Sequence, residues 1–186
     1  MEYNFKQITT DDTKLISYFE NESNTKSINK LNKKILDFKK KNLPLPIKLS
    51  LHPCSGKTYF CNINNRCFKN ILLYDFDNYP NNSIKRSKKI FEIINLKRHS
   101  CLLGCKEKDY NFNDNLIEIH IIIPYKKLIE NHTTRIKTQS TGWLCLNRIL
   151  LSRECLIKFT IEKSIPFFIS IEDALNFIIN SWNNTV

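Results

Sequence analysis

Ile47-Lys48-Leu49-Ser50-Leu51-His52-Pro53-Cys54-Ser55-Gly56-Lys57-Thr58-Tyr59-Phe60-Cys61-Asn62-Ile63 is the stretch on which the fold turns. Ile47, Leu49 and Leu51 alternate with Lys48 and Ser50, the two-residue period of a strand with one apolar face. Pro53 to Lys57 reads as a turn, and Thr58–Ile63 returns as the second strand of a hairpin. On that reading the sheet starts antiparallel. Gly56-Lys57-Thr58 resembles the end of a phosphate-binding loop. That loop needs a further glycine five positions before Gly56, where Leu51 stands, and a helix behind it, where the sequence reads as strand. The sequence therefore argues against an ATPase loop.

Working outward, residues 1–42 read as helical. Asp11 or Asp12 caps a short helix through Glu20, and Ser27 caps a second in which Ile28, Leu31, Ile35 and Phe38 recur at three- and four-residue steps. The other side of that helix carries Lys30, Lys33, Lys34, Lys39, Lys40 and Lys41, as either a solvated face or a phosphate-tracking one. Leu43-Pro44-Leu45-Pro46 ends it. Downstream, Asn70–Asp77 is a short strand, Ser83 caps a helix to about Lys97, and Leu116–Pro124 is the clearest strand of all. Trp143–Leu151, Leu156–Ile161 and Ile165–Ile171 alternate or run apolar and read as further sheet. Ser170 caps a terminal helix packed through Leu175, Phe177, Ile178 and Trp182. The sum is one α+β domain over residues 1–186: N-terminal helices over 1–42, then a mixed core over 47–186. That core is expected to be a mainly antiparallel sheet with helices packed on it.

Of the 186 residues, 41% are hydrophobic, enough to support an ordinary core. No apolar run reaches the roughly 18 residues that cross a bilayer. Met1–Lys6 lacks a secretory start, and the 7 cysteines form an odd set. Both features point to reduced thiols in an intracellular compartment: cytoplasm, nucleus or organelle. Lys+Arg number 29 against 18 acids, a formal net charge of +11. Such a field concentrates polyanions, so DNA or RNA is the expected partner. Abundant Asn, Ile, Lys and Phe, with alanine only at Ala174, also fit an AT-rich viral, plasmid or organellar genome, which by itself raises the lysine count.

Two segments carry candidate chemistry. In Leu72-Leu73-Tyr74-Asp75-Phe76-Asp77, alternation puts Asp75 and Asp77 on one face, about 7 Å apart along a strand. There they either share divalent cations or simply end a polar strand at a turn. In Glu118-Ile119-His120-Ile121-Ile122-Ile123, Glu118 and His120 share a face, so His120 is either a structural histidine or a phosphate contact held charged by Glu118. Together these segments resemble the two short motifs of the archaeo-eukaryotic primase and primase-polymerase family: a strand ending in Asp-x-Asp, then a histidine-bearing strand, with a helix and strand between them. Glu118 stands where that family usually has a small hydroxyl residue. The resemblance implies a nucleotidyltransferase in which Asp75 and Asp77 bind Mg2+ or Mn2+ and His120 contacts the incoming nucleotide. Glu162 is the positional choice for a third acid.

Basic residues interleave with aromatics around Lys57, Tyr59, Arg66 and Lys69, where rings stack on bases and cations meet phosphates. Arg135 and Lys137 form a second basic segment, read as a phosphate-binding loop. Cys54, Cys61 and Cys67 near His52, with Cys101 and Cys105 near His99, offer irregularly spaced ligands for a structural Zn2+. The non-enzymatic alternatives are a ribosomal or replicon-coating protein, or a viral interaction protein.

Overall fold

The computed structural model describes residues 12, 22–78, 88, 90–93, 95–104, 116–138 and 145–184. Its core is a sheet of six strands: β1 (Pro46–Leu51), β2 (Cys67–Phe68), β3 (Ile71–Asp75), β4 (Ser100–Gly104), β5 (Ile117–Ile121) and β6 (Phe167–Phe168). The spatial order is β2-β3-β4-β1-β5-β6. Helices packed on a sheet give the α+β class expected, but the antiparallel pairing does not form. β3, β4, β1, β5 and β6 run parallel, and only the two-residue β2 pairs antiparallel, with β3. The reason lies in the connections, because parallel neighbours need a crossover and helices supply it.

The helices are α1 (Glu22–Lys40), α2 (Lys57–Ile63), α3 (Tyr125–Thr138), α4 (Leu146–Lys163) and α5 (Ile171–Asn183). A helical turn also covers residues 90–93. α2 replaces the expected hairpin strand: Lys57 and Cys61 are buried one turn apart, while Tyr59 and Ile63 lie outside. That is a four-residue period, not a two-residue one. α4 occupies the stretch read as two strands, and α3 holds Arg135 and Lys137 on a helix rather than a loop. α1 begins five residues before Ser27, whose hydroxyl donates to the Asn24 carbonyl inside the helix. The terminal cap is as read: Ser170 Oγ accepts from the Asp173 N–H at 3.0 Å. The short helix capped by Asp11 or Asp12 falls outside the described residues except for Asp12, as does the start of the Ser83–Lys97 helix, residues 83–87.

Both faces of the sheet are covered. Ile47, Leu49, Leu51, Leu73, Ile117, Ile119 and Ile121 pack on one side with Leu31 and Ile35 of α1 and Ala174, Leu175 and Ile178 of α5. On the other side Ile122 and Phe167 meet Ile157 of α4, and Leu102 meets Phe76, Ile90 and Ile93. Lys48 and Ser50 made β1 look half-exposed, yet it is the inner strand. Lys48 reconciles the two by pairing with Glu118 of the neighbouring strand at 2.7 Å.

Candidate functional site

β1 ends at Leu51, and the chain turns through His52–Gly56 into α2 at the carboxyl edge of the sheet. In parallel sheets that edge, where the strand order reverses direction, is the usual position for a ligand. The order reverses at β1: the next strands go to one side, and β5 and β6 go to the other. Cys54 (φ 63°) and Gly56 (φ 84°) adopt left-handed backbone on either side of Ser55. Alternating handedness of this kind curls successive N–H groups into an anion-binding concavity. Glycine suits the second position because a side chain there would carry the left-handed strain.

The turn is braced from behind. Asn131 of α3 donates to the Cys54 carbonyl at 3.0 Å. His52 is buried, and its Nδ1 lies 2.9 Å from the Pro53 carbonyl. Burial lowers the pKa of His52 to about 4 against the pull of that carbonyl, with Arg153 lowering it further. The imidazole is therefore neutral, with its proton on Nδ1. His52 Nε2 and the buried Ser55 hydroxyl have no hydrogen-bond partner among the described residues. A buried polar group without a partner is the kind that a bound ligand or water completes.

The first two residues of α2 meet the end of β3. Thr58 Oγ1 donates to Asp75 Oδ2 at 2.6 Å, and Lys57 Nζ lies 3.6 Å from Asp75 Oδ1. Lys57 also pairs with Asp77. Asp75 and Asp77 do come together, though not by strand alternation as expected. The strand stops at Asp75, and residues Phe76–Asn78 form a 3-10 turn in which the Asp77 N–H donates to Asp75 Oδ1 at 3.0 Å. Asp75 is buried, whereas the Asp77 side chain is 61% exposed. Phe76 fixes the turn by lying against Gly104, where an added Cβ would meet the Phe76 Cβ at 2.7 Å.

His120 does not join this cluster. Asp75 is in register with Leu103, Leu103 with Leu49, and Leu49 with Ile119. Asp75 therefore shares the face of Ile119, and His120 projects from the opposite one. There His120 is fully buried, with Nδ1 2.7 Å from Thr160 Oγ1 and its ring stacked on Phe159. Burial alone would raise the Glu118 carboxyl, but His120 and Lys48 outweigh it and hold its pKa at about 2. Glu162 sits exposed on α4, 3.8 Å from Lys158, and touches neither aspartate.

Among the expected nucleic-acid contacts, Lys57 is buried in the aspartate cluster rather than displayed on a hairpin. Tyr59 is 71% exposed on α2. Arg66 is exposed, and Lys69 is bonded to Asn176 at 2.8 Å. Arg135 lies one helical turn beyond Asn131 on α3, and Lys137 is exposed at the end of that helix. Among the described residues no group of three or more His, Cys, Asp or Glu side chains is placed to hold a metal ion. Cys105 of the zinc reading lies outside the described residues. Burial, with the charge of Asp75, pushes the Cys61 thiol up to about 11, and burial also raises Cys101, so both remain protonated. No helix among the described residues is long and apolar enough to cross a membrane.

Sequence reasoning missed that Gly56-Lys57-Thr58 opens a helix. The signal was present in Lys57, Phe60 and Cys61, whose three- and four-residue spacing is that of one helix face. Comparison with protein-family models, with curated proteins and with solved structures gives no match.

Proposed function

We propose that this chain binds a nucleoside triphosphate at the His52–Thr58 turn and transfers its terminal phosphoryl group. One observation carries the reading: Lys57 and Thr58, directly behind a left-handed glycine at the end of the inner strand, both engage Asp75 at the end of β3. A lysine, a hydroxyl and a carboxylate so placed match the parts that cradle phosphates and a hard divalent cation in phosphate-binding loops. The missing first glycine is offset locally by the left-handed Cys54. Thr58 and Asp75 offer the hard oxygen donors that suit Mg2+ or Mn2+, with substrate phosphates completing the shell. Such an ion would neutralise charge building on the transferred group.

The protein's own groups do the rest. The Lys57 ammonium, held by two carboxylates, turns to the phosphate oxygens when they enter the turn. Its departure frees Asp77, the exposed carboxylate, to accept the proton of an attacking hydroxyl or water. The new oxygen–phosphorus bond forms as the bond from the terminal phosphorus to the bridging oxygen breaks. The leaving nucleoside diphosphate keeps the bridging electrons.

Nucleotidyl transfer of the primase kind is the second reading, favoured by the meeting of Asp75 and Asp77 on one lysine. It lacks His120, so phosphoryl transfer is preferred. In either case a nucleic acid or nucleotide partner is consistent with the charge of +11.

The test is binding and turnover of nucleoside triphosphates with Mg2+ or Mn2+. Wild-type protein is expected to bind them, and Lys57→Ala to lose turnover by at least about a hundredfold. Release of pyrophosphate rather than nucleoside diphosphate would select nucleotidyl transfer. Absence of triphosphate binding by the wild type with either metal would sink both readings.

A further inference from the structure

At the opposite, amino edge of the sheet lies a cavity of about 570 Å³. That is within the range of small-ligand pockets, and it sits roughly 17 Å, the length of a five-residue strand, from the His52–Thr58 turn. Its walls come from the segments that enter β1, β3 and β4 and from the end of α5. They include Asn42, Asn70, Lys97, Arg98, His99 and Trp182. Lys97 and Arg98 are exposed and make no ion pair among the described residues. Among the described residues no carboxylate lines the cavity.

The remaining groups are built rather than incidental. The His99 and Trp182 rings pack edge to face with centroids 4.8 Å apart, both half-buried. His99 Nδ1 accepts the Leu45 N–H at 2.9 Å, and burial lowers the histidine's pKa. The neutral ring therefore carries its proton on Nε2, as a donor. Lys39 fixes the end of α5 by donating to the Trp182 carbonyl at 2.6 Å. Asn42 (φ 52°) and Asn70 (φ 71°) supply amides on left-handed turns. Beyond the rim, exposed Lys40 and Lys41 continue the positive charge from the end of α1.

We infer that this cavity is a second site, which binds a nucleotide unit of single-stranded nucleic acid. Lys97 and Arg98 take the phosphate, the indole of Trp182 stacks on the base, and the Asn amides meet its edge. Cations facing phosphate beside an aromatic platform are the combination that holds single strands. Lys40 and Lys41 favour a strand over a free nucleotide, because they extend the charge past what one phosphate requires. The site does not depend on the triphosphate reading.

Trp143→Phe leaves Trp182 as the sole tryptophan, and its fluorescence reports on the cavity directly. A short oligothymidylate is expected to quench it at low salt, with affinity falling about tenfold or more in the Lys97→Ala/Arg98→Ala variant. Oligothymidylate should also protect Cys67, an exposed thiol in the cavity wall, from alkylation mapped by mass spectrometry. Thymidine monophosphate serves as the second probe: quenching by the oligomer alone assigns a strand, and equal quenching by both assigns a free nucleotide. Lys57→Ala should leave the quenching unchanged, which separates this site from the triphosphate site. No quenching by either probe, or undiminished quenching in the Lys97→Ala/Arg98→Ala variant, would overturn the inference.

Discussion

Thr58 Oγ1 donates to Asp75 Oδ2 across 2.6 Å, joining the first turn of α2 to the end of β3 over 17 residues of chain. This bond locks the His52–Thr58 turn to the end of β3, from which the chain leads directly into the turn that holds Asp77. Thr58→Val keeps the side-chain shape and removes the donor. Stability should fall by about 1–2 kcal/mol in urea denaturation, since Thr58 is exposed and water replaces part of the bond. Metal-dependent turnover should fall far more steeply and return in Thr58→Ser. Equal loss in Val and Ser variants would show that the hydroxyl is not the operative group.

Gly104 tests how the aspartate turn is held. A Cβ there reaches 2.7 Å from the Phe76 Cβ, a separation that forces movement of the turn between Asp75 and Asp77. Gly104→Ala is expected to cost about 1–3 kcal/mol. Triphosphate affinity should fall with it. The double variant Gly104→Ala/Phe76→Ala removes the ring but keeps the clashing Phe76 Cβ, so it should recover little stability in urea denaturation.

His52 makes stability depend on pH. Its pKa is about 4 in the folded protein against an ordinary 6.5. The unfolded chain therefore takes up the proton first. The stabilisation is fully present above pH 6.5 and is lost as pH falls towards 4, amounting to about 3 kcal/mol. His52→Asn keeps a donor for the Pro53 carbonyl and should flatten that part of the stability profile. An unchanged slope between pH 6.5 and 4 would contradict the buried neutral state.

Glu118 adds a more acidic limb. Its folded pKa of about 2 lies below the ordinary 4.5 because His120 and Lys48 outweigh burial. Its contribution is present above pH 4.5 and lost as pH falls through 2. The side chain is 35% exposed, so solvent screening reduces this to on the order of 1–2 kcal/mol. Glu118→Gln should remove the limb below pH 4.5 and leave the His52 limb intact, as followed by thermal denaturation across pH.

The legible parts of the sequence were those in which one period dominated. The alternation of Ile47, Leu49 and Leu51, the run over Asn70–Asp77 (a strand as far as Asp75), the apolar strand around Ile119, and the Ser170 cap all correspond to formed elements. α4 was hidden by its own composition. Ile149, Ile157 and Thr160 are β-branched, and buried Arg153 interrupts the apolar stripe. Only its partners, the Ile123 carbonyl and Asp12, explain a guanidinium in that position, and they are 30 and 141 residues away. Strand direction was illegible for a related reason. Pairing is set by the crossover, so one helix misread as strand at Thr58–Ile63 turned a parallel sheet into an expected hairpin. At the candidate site, both aspartates and Lys57 were picked out, but in separate segments, since the contact among them exists only once α2 is helical.

The sheet's two flanks have a consequence for how copies of the chain behave together. Among the described residues β2 and β6 contribute two residues each, so the outermost strand on either border is only a stub. A neighbouring molecule seeking to extend the ladder finds too little purchase to register against. Among the described residues β4 and β1, the apolar strands best able to recruit one, are shut in the middle of the sheet.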